Sequence, residues 1–131
     1  MITILIDHNI EGHALRVWDT FQAQGWSDVI SLNMLTFDAV DLAFDSSDRD
    51  VWRFAQAQHM VLLTANRNMN EADSLEQTIR EENGPTSLPV LTIGNPNRIS
   101  QRVYRETVAL RLVEIAMELD RYLGMGRIYL P

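Results

Sequence analysis

The sequence predicts a three-layer α/β/α sandwich built on a mostly parallel five-stranded sheet. Two observations lead to this prediction. Segments with the apolar character of strands alternate with segments at helical spacing five times along the 131 residues, which is typical of strands joined by helical crossovers. The first segment, Ile2–Ile6, consists mostly of β-branched residues and alternates little between apolar and polar side chains. Such a run is expected of a strand that is covered on both faces.

The first part of the chain is predicted to contain two strands with a helix between them. Residues 9–24 place apolar side chains at helical spacing, and Gly25 is positioned to end this helix. Residues 26–32 are predicted to form the second strand. The stretch 33–45 gives mixed signals and is predicted as a loop with a helical turn near residues 37–42.

A second helix and a third strand are predicted next. Ser47 and Asp50 form a variant of the capping box, which predicts a helix that extends to about residue 58. Residues 59–64 have the composition of the third strand. The polar run 66–73 is predicted as a loop that leads into a short helix over residues 74–82.

The last part of the chain is predicted to add two strands and a long helix. The Asn-Gly-Pro sequence at 83–85 is predicted to end the short helix by left-handed capping. Residues 88–93 are predicted as the fourth strand, residues 100–123 as the last helix and residues 127–130 as the terminal strand. The apolar band on the last helix is broader than one buried face requires, which predicts a homo-oligomer.

Composition restricts the classes of function. The length fits a single domain over residues 1–131. Because there is no Cys, disulfides and thiolate metal sites are excluded, which suits the cytoplasm. All 11 basic residues are Arg, so chemistry that needs a lysine amine is also excluded. The net charge of −7 disfavours nonspecific nucleic-acid binding through phosphates.

The sequence gives no indication of a membrane segment. No apolar run approaches the roughly 18 residues that a membrane span needs. The first residues lack the basic region and the cleavage site of a signal peptide, because Asp7 interrupts the apolar run. We therefore expect a cytoplasmic protein.

Polar side chains follow several of the predicted strands. In an open parallel sheet, ligands bind in the crevice beyond the carboxyl ends of the strands. The residues expected at this edge are Asp7, His8, Asn9, Thr64, Asn66, Arg67, Asn68, Gly94 and Asn95, with Asp48 and Asp50 nearby. Carboxylate and amide oxygens suit Mg²⁺ or Mn²⁺, so Asp7, Asp48 and Asn66 are candidate metal ligands.

Each candidate also has a structural interpretation. Asp7 can cap the helix that follows it, and Asp48 and Asp50 lie where acidic residues favour a helix dipole. Thr64 and Asn66 can hold a loop through bonds to the backbone. Arg67 is a candidate phosphate contact or a solvated loop residue. Glu71 and Asp73 can add acids to the site, and Asp73 with Glu76 also fits a helix cap.

Three short motifs resemble those of the PIN-like proteins, in particular short bacterial members of this group. Leu5-Ile6-Asp7-His8-Asn9 is similar to their first strand, which ends in Leu-Asp-Glu-Asn. Ser47-Asp48 looks like the Ser-Asp pair that opens one of their helices. The segment 64–69, Thr-Ala-Asn-Arg-Asn-Met, is similar to their Thr-x-Asp-x-Asp-Phe. The resemblance covers about residues 2–95.

The resemblance implies a metal-dependent ribonuclease, and because many members of the family are toxins, it also implies a toxin that a cognate antitoxin neutralises. Asp7 and Asp48 would hold Mg²⁺ or Mn²⁺, Asn66 would position the ion or its water, and Arg67 would steady an RNA phosphate. The chain departs from the family pattern in three places. Asn66 and Asn68 replace acids of the third motif, and His8 replaces a Glu.

These departures leave a second interpretation open. An amide oxygen can coordinate a metal ion but brings no charge to the site. The alternative is therefore a catalytically degenerate PIN-like domain that acts through protein binding or self-association.

Overall fold

The computed structural model describes residues 1–66 and 72–131. Within them the chain forms five strands and four α-helices. The strands are β1 (Ile2–Ile6), β2 (Leu32–Leu35), β3 (Met60–Thr64), β4 (Val90–Ile93) and β5 (Arg127–Leu130). The helices are α1 (Glu11–Ala23), α2 (Asp48–Ala57), α3 (Leu75–Glu82) and α4 (Arg102–Met117).

The five strands form one sheet in the order β2-β1-β3-β4-β5, and every neighbouring pair is parallel. In the register, Leu5 is paired with Leu35 on one side and with Leu62 on the other. The chain runs from β1 outward to β2 and then returns to place β3 on the opposite side of β1. Parallel pairing brings the carboxyl ends of all five strands to one edge of the sheet.

Two hydrophobic cores cover the two faces of the sheet. Ile4 and Ile6 of β1 join one core with α1 and α4. Leu5, which points to the opposite face, joins the other core with α2, α3 and Phe37. This alternation along a strand whose residues are apolar except for Thr3 confirms the predicted three-layer arrangement.

The prediction for the second strand is wrong. Residues 26–28 form a turn of 3₁₀-helix, and the strand begins only at Leu32. Gly25 adopts φ 81° and directs the chain into this turn. The backbone N–H groups of Val29 and Ile30 then bond to the carbonyl of Trp26, each at 2.9 Å. Donors used in these local bonds cannot pair with a neighbouring strand.

The predicted left-handed cap after α3 is also wrong. Asn83 has φ −65° and ψ 132°, which is extended backbone. Its side-chain Nδ2 donates to the carbonyl of Gly124 at 2.8 Å. The helix end is thus fixed by a contact with the distant turn before β5.

The last helix is shorter than predicted. α4 ends at Met117, Glu118 leaves helical geometry, and a short 3₁₀-helix follows over Leu119–Tyr122. Leu119 and Tyr122 both pack against the core. Their spacing of three residues fits a 3₁₀-helix as well as an α-helix, so periodicity could not separate the two.

Candidate functional site

A cleft of about 550 Å³ lies at the carboxyl edge of the sheet. It opens where β1 and β3 lie side by side, which is the point at which the chain's path across the sheet reverses direction. Open α/β sheets bind ligands at such switch points. The cleft is lined by Asp7, Asn9, Ile10, Ser46, Ser47, Asp48, Ala65, Asn66 and Asp73.

Asp7 is held by bonds on both sides of its carboxylate. Its Oδ2 accepts a hydrogen bond of 2.7 Å from the hydroxyl of Thr64, and Oδ1 accepts a longer one of 3.4 Å from the backbone N–H of Asn9. Its own N–H donates to the carbonyl of Leu63 in β3 at 2.9 Å. Asp7 therefore caps the short turn that follows β1 and also lines the cleft.

Asp48 connects three elements at the opposite wall. It is the first residue of α2, where the hydroxyl of Ser47 caps the helix by accepting the N–H of Asp50 at 3.1 Å. The Oδ2 atom of Asp48 accepts hydrogen bonds from Asn66 Nδ2 at 2.8 Å and from the N–H of Leu75 at 3.1 Å. Asp48 thus ties α2 to the end of β3 and to the first residue of α3.

Asn66 is held through both its backbone and its side chain. Its N–H donates to the hydroxyl of Thr64 at 2.9 Å, and its carbonyl accepts a bond of 2.7 Å from Arg127. The side chain presents its NH₂ group to Asp48. The sequence interpretation assigned its amide oxygen to a metal, whereas the contact found here is that of a donor that orients a carboxylate.

Arg127 is a site component that the sequence interpretation missed. It lies in β5, and its side chain is only 7% exposed. Besides the Asn66 carbonyl, it contacts Thr92 Oγ1 at 2.7 Å and Glu76 Oε2 at 3.1 Å. The sequence did contain one signal, which is a lone Arg at the start of a predicted strand that is otherwise apolar or aromatic. A charge that such a strand buries requires partners.

Arg49 fixes the rim of the cleft on the α3 side. Its guanidinium pairs with Asp73 and Glu82, and it donates to the carbonyl of Ala72 at 2.9 Å. These carboxylates, Glu82 first, raise the pKa of Arg49. In turn, hydrogen bonds from Arg53 and then from Arg49 hold the pKa of Glu82 below its ordinary value. Asp73 is therefore an ion-paired rim residue.

The remaining candidates separate into two groups. Arg67, Asn68 and Glu71 lie outside the described residues. Asp50, Gly94 and Asn95 do not line the cleft, and neither does His8, which stacks on Phe44 beside it.

The donor set at the cleft fits a weakly held divalent cation. Among the described residues, no group of three or more His, Asp or Glu side chains is arranged to hold a metal ion. Mg²⁺, however, keeps several waters and commonly uses one or two carboxylates. Both hydrogen bonds that described residues make to the Asp48 carboxylate go to Oδ2, so neither of them engages Oδ1. Asp7 and Asp48 are then the residues that fit the ion.

Comparisons with protein-family models, curated proteins and solved structures gave no match. Within residues 1–66 and 72–131, no helix has the length and apolar character that crossing a membrane requires.

Proposed function

We propose that this protein is a PIN-like, divalent-cation-dependent ribonuclease. One observation supports this proposal above the others. Asp7 and Asp48 are 41 positions apart in the sequence, yet both line the same cleft at the switch point of the sheet. The three motifs that resemble PIN-like proteins contribute residues to this cleft or to its supports.

In this proposal, some residues of the cleft bind the metal ion and others position those ligands. Asp7 and Asp48 would hold Mg²⁺ or Mn²⁺. When bound, the ion would polarise a phosphoryl oxygen and lower the pKa of its bound water. Thr64 orients Asp7, and Asn66 orients Asp48, through the hydrogen bonds described above. Arg67 is proposed as the phosphate contact on the basis of the sequence.

A more specific version of this proposal is that the ribonuclease is the toxin of a toxin-antitoxin pair. Many PIN-like proteins are toxins with a cognate antitoxin, and this chain would then act on RNA in the cytoplasm. A neighbouring reading frame for a small DNA-binding protein would support that role, and co-purification of its product with this chain would test it.

Calorimetric titration with MnCl₂ and MgCl₂ tests the metal site. We expect saturable binding by the wild type and its loss when Asp7→Asn and Asp48→Asn are combined. The matched control is Asp120→Asn, which changes an exposed acid within the short 3₁₀-helix after α4 and should bind the metal as the wild type does. No binding by the wild type at millimolar metal would contradict the metallonuclease proposal.

Activity is tested on single-stranded RNA with added Mn²⁺ and then with EDTA. Because Asp48 also bonds to the first N–H of α3, its removal can change stability as well as metal binding. The chelator separates the two effects, since it leaves the protein chain intact. Cleavage by the wild type that EDTA does not suppress would exclude the proposed mechanism.

Self-association is the second candidate function, and the exposed side of α4 favours it. Val103, Leu110 and Met117 are 79%, 44% and 60% exposed and recur every seven residues, so they form one stripe on the helix. If two copies of α4 packed antiparallel about Leu110, Val103 would face Met117. Arg102 would then face Glu118 of the second copy, which pairs opposite charges.

Sedimentation equilibrium tests this candidate with a matched pair of variants. Leu15 in α1 is also 44% exposed. We expect Leu110→Glu to convert a dimer to a monomer, whereas Leu15→Glu should leave the dimer unchanged. A wild type that is monomeric at high concentration would exclude self-association through α4.

A further inference from the structure

Two stacked aromatic rings lie beside the cleft. The rings of His8 and Phe44 have centroids 4.0 Å apart and planes only 7° from parallel. Phe37, which is buried, lies 6.2 Å from the His8 ring. We call the His8 and Phe44 rings the aromatic platform.

The platform is fixed on both sides, and one of its rings is open to solvent. Ser46 turns the chain after Phe44 by donating from its hydroxyl to the carbonyl of Ala43 at 2.7 Å. His8 Nδ1 lies 3.2 Å from Glu11 Oε1, which restrains the imidazole. Phe44 nevertheless remains 59% exposed. An exposed aromatic ring that is already stacked on one side is suited to stacking with another flat ring on the other.

The platform is continuous with the acidic wall of the cleft. A depression of about 50 Å³ is lined by Phe44 and Phe37 and also by Asp7 and Asp48. A ligand that stacks on Phe44 would therefore have its neighbouring atoms next to the two carboxylates. Nucleotides combine a flat base with an adjacent phosphodiester in this way.

We infer that the aromatic platform binds an unpaired base of a single-stranded nucleic acid. This inference rests on the proposed function, because it places the phosphodiester beside the proposed metal ligands. With a net charge of −7, the protein gains little from phosphate contacts. Stacking on an aromatic side chain provides affinity without them. A duplex cannot use the platform, since its base faces are covered by their neighbours.

Fluorescence anisotropy with a short fluorescein-labelled oligoadenylate RNA tests the platform. Calcium replaces manganese in this assay, so that binding is measured separately from the Mn²⁺-dependent cleavage. We expect Phe44→Ala and Phe44→Leu to weaken binding by about tenfold, because stacking of one base corresponds to roughly 5- to 150-fold in affinity. Phe44→Trp should bind at least as tightly as the wild type. Val29→Ala is the control, since Val29 is also 59% exposed and lies in another part of the chain.

Leucine retains the apolar bulk of Phe44, so the Leu and Trp variants separate stacking from general hydrophobic contact. Annealing the labelled strand to oligouridylate should weaken binding by the wild type to the level of Phe44→Ala. Equal binding of single strand and duplex would overturn the inference. So would wild-type affinity in both Phe44→Ala and Phe44→Leu, or the absence of any binding by the wild type.

A cleavage assay with Mn²⁺ keeps the two proposals distinguishable. Phe44-dependent binding without Mn²⁺-dependent cleavage would refute the ribonuclease and leave the platform standing. Cleavage that has the same KM in the wild type and in Phe44→Ala would refute the platform and leave the ribonuclease standing.

Discussion

Thr64 provides the sharpest test of how the cleft is built, because one buried hydroxyl supports two of its walls. Thr64 is fully buried. It donates to Asp7 Oδ2 at 2.7 Å and accepts the N–H of Asn66 at 2.9 Å. Thr64→Val keeps the shape of the side chain and removes both bonds.

The expected cost follows from the two bonds. A hydrogen bond to a charged group contributes about 2 kcal/mol, and the Asn66 N–H that loses its acceptor adds about 1 kcal/mol. We therefore expect Thr64→Val to lower the free energy of unfolding by about 3 kcal/mol. Urea unfolding followed by circular dichroism measures this change, provided that the slope of the transition is the same in both proteins.

Thr78→Val is the matched control. Thr78 is also fully buried, but its hydroxyl donates only to the carbonyl of Ser74, one helical turn back, at 2.8 Å. Its loss should cost about 1 kcal/mol or less. If Thr64→Val is no more destabilising than Thr78→Val, the Thr64 hydroxyl does not hold Asp7 in place.

Two further predictions concern the charged groups that surround the cleft. Arg127→Met should lower the free energy of unfolding by about 2 to 3 kcal/mol, because it removes the hydrogen bonds from this nearly buried guanidinium to the Asn66 carbonyl and to Glu76, whose side chain is 25% exposed; a change below about 1 kcal/mol in urea unfolding would show that these bonds do not stabilise the fold. Arg53 and Arg49 hold the pKa of Glu82 below its ordinary value. These ion pairs therefore stabilise the fold when the pH is above the ordinary pKa of a Glu carboxyl, and they lose this effect as the pH falls through the lowered pKa of Glu82. Glu82→Gln should therefore be less stable than the wild type at neutral pH and equally stable in strong acid, and a difference that persists in acid would show that charge is not its origin.

The fold could be predicted because its strongest signal lies in local patterns. The apolar run Ile2–Ile6 required cover on both faces, and the two cores supply it. The second strand could not be located from the same kind of signal. Val29 and Ile30 are apolar and β-branched, but Gly25 begins a turn whose local backbone bonds consume their donors.

From the sequence, only those site residues that directly follow a strand could be placed together. Asp7 and Asn66 follow adjacent parallel strands, so their proximity follows from the order of the sheet. The contact between Asn66 and Arg127 joins residues 61 positions apart, and although a lone Arg in a strand indicates that partners are needed, nothing local to it identifies Asn66 as one of them. Phe44 lay in a stretch of mixed signals, where no periodicity predicts which ring stays exposed. The role of Arg67 stays a prediction.

The long separation between Asn66 and Arg127 has a consequence for biosynthesis. A ribosome releases the chain from its amino end, so Asp7, Asp48 and Asn66 emerge well before Arg127 does. The sheet also grows outward, and β5 adds to its edge next to β4. The Asn66 carbonyl therefore acquires its guanidinium partner only when β5 docks. A nascent chain would carry Asp7, Asp48 and Asn66 before this contact can form, and the support that Arg127 gives to the cleft would be added only after β5 has been synthesised.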